Sequence, residues 1–555
     1  MEPGTELNRF IQTIGSVWRR RRQFAVAALA LLALGCSSDE ETKLGQIGIV
    51  EGFLGGVAAD EPRAALIGRD VLSAGGTAAD AATAVYFALA VTLPSSASLG
   101  GGGVCLVHDA KSARTEALQF LARRPAVVPP GTVRQNAIPG NPRGFFALHS
   151  KYGALRWEQV VAPAERLARF GTLVSRALAH DLDQVGDALL AKPGNRILFA
   201  RPDGQGVLRE GDYMIQVELA AQLSVLRRLG PGDFYVGRSA RNLVDAVIQA
   251  GGALSAEDLR SYAPAWDEPV AVPFGNKTAY FPPPPAAAGS VAAQMWALLT
   301  RDDAYDDTED GERPHLFVET ALRAFADRGR WMGDDGMSRV AAGDLTSKAR
   351  LDALMATYRP DRHVSAAQLD PAPVLRLENP AATSFVVLDR QGSAVACALT
   401  MNNLFGNGRV APGTGIVMAM PPGQGGRGPI SLGPMMVINE HVNEFYFAAA
   451  ATGGVAAPTA LLGVAAAALV GKEPLEDAMQ APRLHHGGAP DLVYFEQGYD
   501  RDRLGALTGR GHRVGATNAL GRVNAAYCSG ALPPKPETCT VRTDPRGLGL
   551  AVSAD

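Results

Sequence analysis

The chain has 555 residues, 47% hydrophobic but only 6% aromatic, with 62 glycines. That is ample apolar material for a large core, arranged as several domains or as one large α/β unit. The 53 Lys and Arg against 56 Asp and Glu leave a net charge of −3, so there is no basic footprint of the kind nucleic-acid binding requires.

The first stretch reads as a targeting signal. Arg19-Arg20-Arg21-Arg22 precedes an apolar run from Phe24 to Leu34, too short to span a membrane as a mature helix. The run ends Leu32-Ala33-Leu34-Gly35-Cys36-Ser37-Ser38, which resembles a bacterial lipoprotein box. Cleavage before Cys36 and acylation of its thiol predict an exported protein of the cell envelope, held on the periplasmic side by lipid alone. An ordinary signal peptide with an incidental Cys36 is the other reading, and Arg21-Arg22-Gln23-Phe24 loosely matches a twin-arginine signal. We read 1–36 as signal peptide and 37–46 as a polar tether.

Ala64 to Ser73 and Ala78 to Val91 predict Ala-rich helices, the first closed by Gly75-Gly76. Leu99-Gly100-Gly101-Gly102-Gly103-Val104 then leads into a strand through His108. It lacks the Lys-Ser/Thr pair of a phosphate-cradling loop, so close packing of strands is the expectation. Asp181 to Gly252 reads as mainly helical, Phe281 to Pro285 as a rigid turn after a strand, and Arg301 to Arg313 as an exposed acidic insertion. His315 to Trp331 and Ser347 to Arg359 predict amphipathic helices. Phe445 to Ala451 predicts a buried strand, and Thr452-Gly453-Gly454 opens a helix over Pro458 to Val470.

Four cysteines follow Cys36. Cys528 and Cys539 flank a Pro- and Gly-containing turn, as on opposed strands of a hairpin, and a disulfide is expected there in an oxidising compartment. Cys105 and Cys397 lie in apolar, strand-like runs and read as buried free thiols. There is no CxxC pair, and His485-His486 are adjacent rather than at ligand spacing, so neither a metal nor another cofactor is expected.

The most informative stretch runs from Ala381 to Gly415. Ser384 to Leu388 is β-branched and aromatic, Asp389-Arg390-Gln391-Gly392 is turn chemistry, and Ala394 to Leu399 pairs back. Asp389, Gly392, Ala394, Val395, Thr400, Asn402, Phe405, Gly406 and Gly408 here resemble, without gaps, the γ-glutamyltransferase (glutathione hydrolase) family of N-terminal-nucleophile hydrolases. Ile138-Pro139-Gly140 through Gly153, Gly251 to Ala263, Gln480 to His486 and Thr543 to Gly547 carry the resemblance along the rest of the chain.

The resemblance implies an α+β fold, a four-layer αββα sandwich, with a large-subunit region at 47–381 and a small-subunit region at 382–555. It implies a chain that cuts itself ahead of a threonine and uses that residue, freed, to attack a small amide or peptide, glutathione-like in active relatives. In the gapless register this position is Ala382, which has no hydroxyl; the nearest are Thr383 and Ser384. Thr383 is the candidate nucleophile after a local shift, and Thr400 and Asn402 are retained. By the same resemblance Gly453 and Gly454 form an oxyanion pocket, and Ser431 keeps part of a substrate-side turn. The family's carboxylate-gripping Arg falls on Leu121, leaving Arg123, two residues on and on the same strand face, either as a substitute or as a solvated surface residue. Met418 to Gln424 carries no acid where the family grips the substrate's amino group. Two functions follow as expectations. One is a divergent amide hydrolase or acyltransferase with altered nucleophile and substrate clamp; the other is a non-processing, lipid-anchored binding or structural protein.

Overall fold

The hairpin foreseen around Asp389 is the middle of the molecule. In the computed structural model, which describes residues 53–333, 338–371, 381–423 and 431–554, its two strands lie inside a seven-stranded sheet. The signal segment, Cys36, the tether, and the loop at Gly425 to Gly428 lie outside the described residues. Asp389 makes the turn by accepting from the backbone N–H groups of Gln391 and Ser393, at 3.0 and 3.1 Å, while Gly392 supplies a φ of +91°.

Strands enter two sheets by turns along the chain. The first sheet takes β1 (Gly55–Ala59), β2 (Gly102–Asp109), β3 (Arg114–Phe120) and β4 (Ala265–Asp267). The second then takes β5 (Val270–Phe274) and β6 (Lys277–Phe281). The first receives β7 (Ala382–Asp389) and β8 (Ala394–Thr400). The second receives β9 (Met435–Asn439), β10 (Glu444–Thr452), β11 (Arg522–Leu532) and β12 (Cys539–Arg542), and β13 (Leu550–Ala554) returns to the first. The orders are β13-β1-β7-β8-β2-β3-β4 and β12-β11-β10-β9-β6-β5. Residues on both sides of Ala382 therefore share both sheets.

Side-chain alternation divides the core into three. Val386, Leu388, Ala394 and Ala396 of the first sheet meet Met436, Ile438, Ala448 and Ala450 of the second. Phe385, Val387, Val395 and Leu399 instead face the helices that cover the first sheet. Val437, Phe447, Ala449 and Val523 face those that cover the second. The layers run helix, sheet, sheet, helix, as the resemblance implied.

The helices follow the sequence pattern. Among those on the first sheet are α1 (Pro62–Ser73) and α2 (Ala78–Thr92); α2 is buried along its whole length, its alanines letting it lie close to its neighbours. A capping box of Thr77 and Asp80 starts α2, and Asp389 Oδ2 accepts from the Ala78 N–H at 2.9 Å. α3 (Arg176–Leu190) packs nearby. The second sheet carries α4 (Ala287–Thr300), α5 (Arg313–Trp331) and α6 (Ala457–Ala465). At the predicted glycine run, a Cβ on Gly102 would stand 2.1 Å from the Ala122 nitrogen, so close strand packing is what those glycines serve.

One expectation is corrected. Cys105 and Cys397 form a disulfide, because the β2–β8 register places them directly opposite, Cα to Cα 4.1 Å. Cys528 and Cys539 are also bonded, across β11 and β12.

Candidate active site

β7 begins at Ala382, whose partner across the ladder is Thr400. The β7–β8 pairing runs from Leu388 with Ala394 to Ala382 with Thr400 with no shift of register. Residues 382, 384, 386 and 388 thus share the side toward the second sheet. Ser384 demonstrates it, donating its hydroxyl to the Ala450 carbonyl of β10 at 3.1 Å. Ala382 itself packs into a small apolar cluster with Val104, Ala286, Ala398 and Leu432, and Leu121 lies against that cluster. The two positions at which the family resemblance sets a nucleophilic hydroxyl and a carboxylate-binding guanidinium are here neighbouring aliphatic side chains.

Thr383 is not brought to that side. Strand alternation turns it the other way, it is fully buried, and its hydroxyl donates to Asp60 Oδ2 at 3.0 Å. With no bulge in the ladder, nothing rotates it toward the second sheet. Asp60 Oδ2 also accepts from the Ser384 N–H at 3.0 Å, and Asp60 Oδ1 accepts from Asn524 Nδ2 at 2.8 Å. Asn524 Nδ2 reaches the carbonyl and hydroxyl oxygens of Ser384 as well, at 3.0 and 2.9 Å. Asp60, Thr383, Ser384 and Asn524 form one buried network in which both hydroxyls are committed.

The retained positions do converge on the Ala382 end. Thr400 donates its hydroxyl to the Ala381 carbonyl at 3.0 Å and accepts from the Asn402 N–H at 2.9 Å. Asn402, at φ +59°, donates Nδ2 to the Met420 carbonyl at 2.8 Å. Its Oδ1 is buried and meets no donor among the described residues, a free acceptor. Gly453 and Gly454, at φ +114° and +70°, end β10 and lead through a short turn into α6. A Cβ on Gly453 would fall 2.5 Å from the Gly521 Cα, so glycine is required there. Arg522 pairs with Thr452 and lines the same small cavity as Ala382, which puts the glycine pair at this edge of the sandwich. Ser431 is buried beside Leu432, which touches the Ala382 cluster.

Arg123 goes elsewhere. It is exposed, donates Nη2 to the Ala263 carbonyl at 3.2 Å, and lays its guanidinium 5.1 Å from the centre of the Tyr262 ring. As a substitute clamp it is misplaced, because its side chain is engaged by the segment before β4 instead of the Leu121 cluster.

The cavity at Ala382 is also lined by Asp60, His180 and Asp181. Burial pushes the Asp181 carboxyl up to about 6, opposed by the hydroxyl of Ser95, which donates to it at 2.6 Å. Asp60, Asp181, Arg522 and Asn524 carry no sequence signature; each is a lone polar residue whose partners lie far along the chain.

With this geometry established, three comparisons bear on kinship. The Gamma-glutamyltranspeptidase family model matches residues 64–554. The chain belongs to the γ-glutamyltranspeptidase family. It is 28% identical to the glutathione hydrolase proenzyme of Escherichia coli, over 84% of this chain and 87% of that protein. It is likewise 28% identical to the acylase ACY 1 proenzyme of a Pseudomonas species, over 83% and 88% of the two chains. The crystal structure of cephalosporin acylase from Bacillus halodurans superposes with a TM-score of 0.75 at 24% identity, covering 92% of this chain and 97% of that one. That last likeness speaks to the fold, and it agrees with the αββα layering of this γ-glutamyltranspeptidase family member.

Proposed function

We propose that this chain is an amide-recognising member of its family that binds a small amide or peptide at the Ala382 end of β7 and is not cut ahead of residue 382. The observation that carries the proposal is the methyl group of Ala382, packed where the family's chemistry needs a hydroxyl. An N-terminal nucleophile requires a hydroxyl to attack and its own freed amino group to act as base. Ala382 offers no hydroxyl, strand alternation turns Thr383 away from the second sheet with its hydroxyl held by Asp60, and Ser384 is held by Ala450 and Asn524. The frame that would hold an acyl group is kept in Thr400, Asn402 and the Gly453-Gly454 turn. The aliphatic neighbours Leu121 and Ala382 favour an acyl group without the paired charges of γ-glutamate.

A second reading, hydrolysis through a displaced Thr383, draws on the printed activities of the relatives, which are hydrolases and acylases. It requires β7 to slip by one residue, moving every core side chain of the strand to the wrong face.

The chain is further proposed to be exported and lipid-anchored at Cys36, a reading supported by the leader pattern and by two disulfides. Cys36→Ser should release it from the membrane fraction.

The deciding experiment is intact mass under reducing conditions together with hydrolysis of acyl anilides, with and without a γ-glutamyl group. A single uncut chain that binds but does not hydrolyse is expected. Two fragments with the smaller starting at Thr383, or turnover lost in Thr383→Ala, would overturn the proposal in favour of hydrolysis.

A further inference from the structure

Away from β7, the fold gathers imidazoles that are remote in sequence. His315 and Glu319 stand one turn apart on α5, and both are buried. His512, from the segment ahead of Val514, is buried against them although 197 residues separate it from His315. His315 Nδ1 lies 2.8 Å from His512 Nε2, and His512 Nε2 lies 3.7 Å from Glu319 Oε1. The three donor atoms all fall within 4.8 Å of one another.

We infer that His315, Glu319 and His512 form a binding site for a divalent transition-metal ion of the zinc class. Zinc accepts imidazole nitrogen and carboxylate oxygen at about 2.0–2.2 Å, so neighbouring ligands of a tetrahedral set stand about 3.3 Å apart. The observed separations of 2.8 and 3.7 Å bracket that value. The donors are also oriented as ligands are. The Arg359 carbonyl lies 2.9 Å from His315 Nε2 and can only accept, so in neutral His315 the hydrogen is on Nε2 and the Nδ1 lone pair faces His512. His512 Nδ1 is buried and meets no partner among the described residues. His363 braces the carboxylate: its Nδ1 donates to Glu319 Oε1 at 2.6 Å and its Nε2 to Asp491 at 3.1 Å, so neither ring nitrogen is a ligand and the fourth position is left to water. The second Glu319 oxygen is bonded by Arg323, which keeps the carboxylate ionised and fixed. The site joins α5 to the segment leading into the strand Val514–Thr517, so its role is to lock that packing.

The experiment is calorimetric titration of the full chain with Zn²⁺ alone, after chelator treatment and dialysis. One ion per chain is expected. His315→Gln and His512→Gln should each weaken binding by at least about tenfold. His441→Ala, an exposed histidine outside the cluster, should change nothing. No binding by the folded wild type, or unchanged affinity in the double variant, would overturn the site. Should either variant fail to fold, Co²⁺ added to the wild type decides the matter. Strong visible absorption of a four-coordinate site supports it, and its absence overturns it.

Discussion

Thr383 and Asp60 are joined by a hydrogen bond of 3.0 Å in the buried interior, hydroxyl to carboxylate. The contact makes Thr383 a structural residue. Thr383→Val keeps the shape and removes the donor from an ionisable partner, a loss of about 1–3 kcal/mol. The urea midpoint should fall accordingly while the mass of the chain is unchanged.

Restoring the hydroxyl at the inter-sheet position tests how much of the processing apparatus survives. Ala382→Thr is expected to yield a new fragment starting at residue 382, because Thr400 already binds the Ala381 carbonyl beside it. The added atoms enter a packed cluster, so the uncut variant should also lose about 1–3 kcal/mol. Mass spectrometry after reduction reads the first effect and thermal denaturation the second. An intact chain would mean that the retained frame no longer supports cleavage.

Asp181 gives a pH signature. Its folded-state value is raised from 3.8 to about 6 by burial, so between those values the folded chain binds a proton that the unfolded chain does not. Stability from this group therefore grows as pH falls from about 6 toward 4 and is lost as pH rises through that window. The span is worth about 2–3 kcal/mol. Asp181→Asn should remove it, and the wild-type and variant stability curves should converge at low pH, with the variant the more stable at pH 7.

Arg483 and Asp544 come from two separate family-like segments and meet as a buried ion pair at 2.5 Å. Asp544 also accepts from the Val523 N–H at 2.7 Å and the Arg546 N–H at 2.9 Å. Asp544→Ala strands a buried guanidinium and should cost about 3–5 kcal/mol, read as a shift of the denaturant midpoint at constant slope.

Much of the fold was legible locally. The Asp389 turn, the buried Ala-rich helix after Thr77, the amphipathic helix at His315 and the Cys528–Cys539 hairpin all announce themselves within a few residues, where periodicity and turn chemistry operate. The site was legible only as an alignment of positions. What alternation does to Thr383 depends on strand register, which local pattern leaves open until the partner strand is known. Asp60 meets Asn524 across 464 residues and Cys105 meets Cys397 across 292, distances over which spacing rules say nothing. The histidines at 315, 363 and 512 have no ligand spacing along the chain for the same reason: the fold brings them together across helices and loops.

The Cys105–Cys397 bond has a bearing on any account of maturation. One cysteine precedes residue 382 and the other follows it, so the bond ties together what would become two polypeptides. A protein cut there would keep its mass on a non-reducing gel and separate only when thiol is added. The staple also means that neither piece could be shed or exchanged after a cut. In any oxidising compartment, covalent unity would rest on sulfur even if the peptide link were gone.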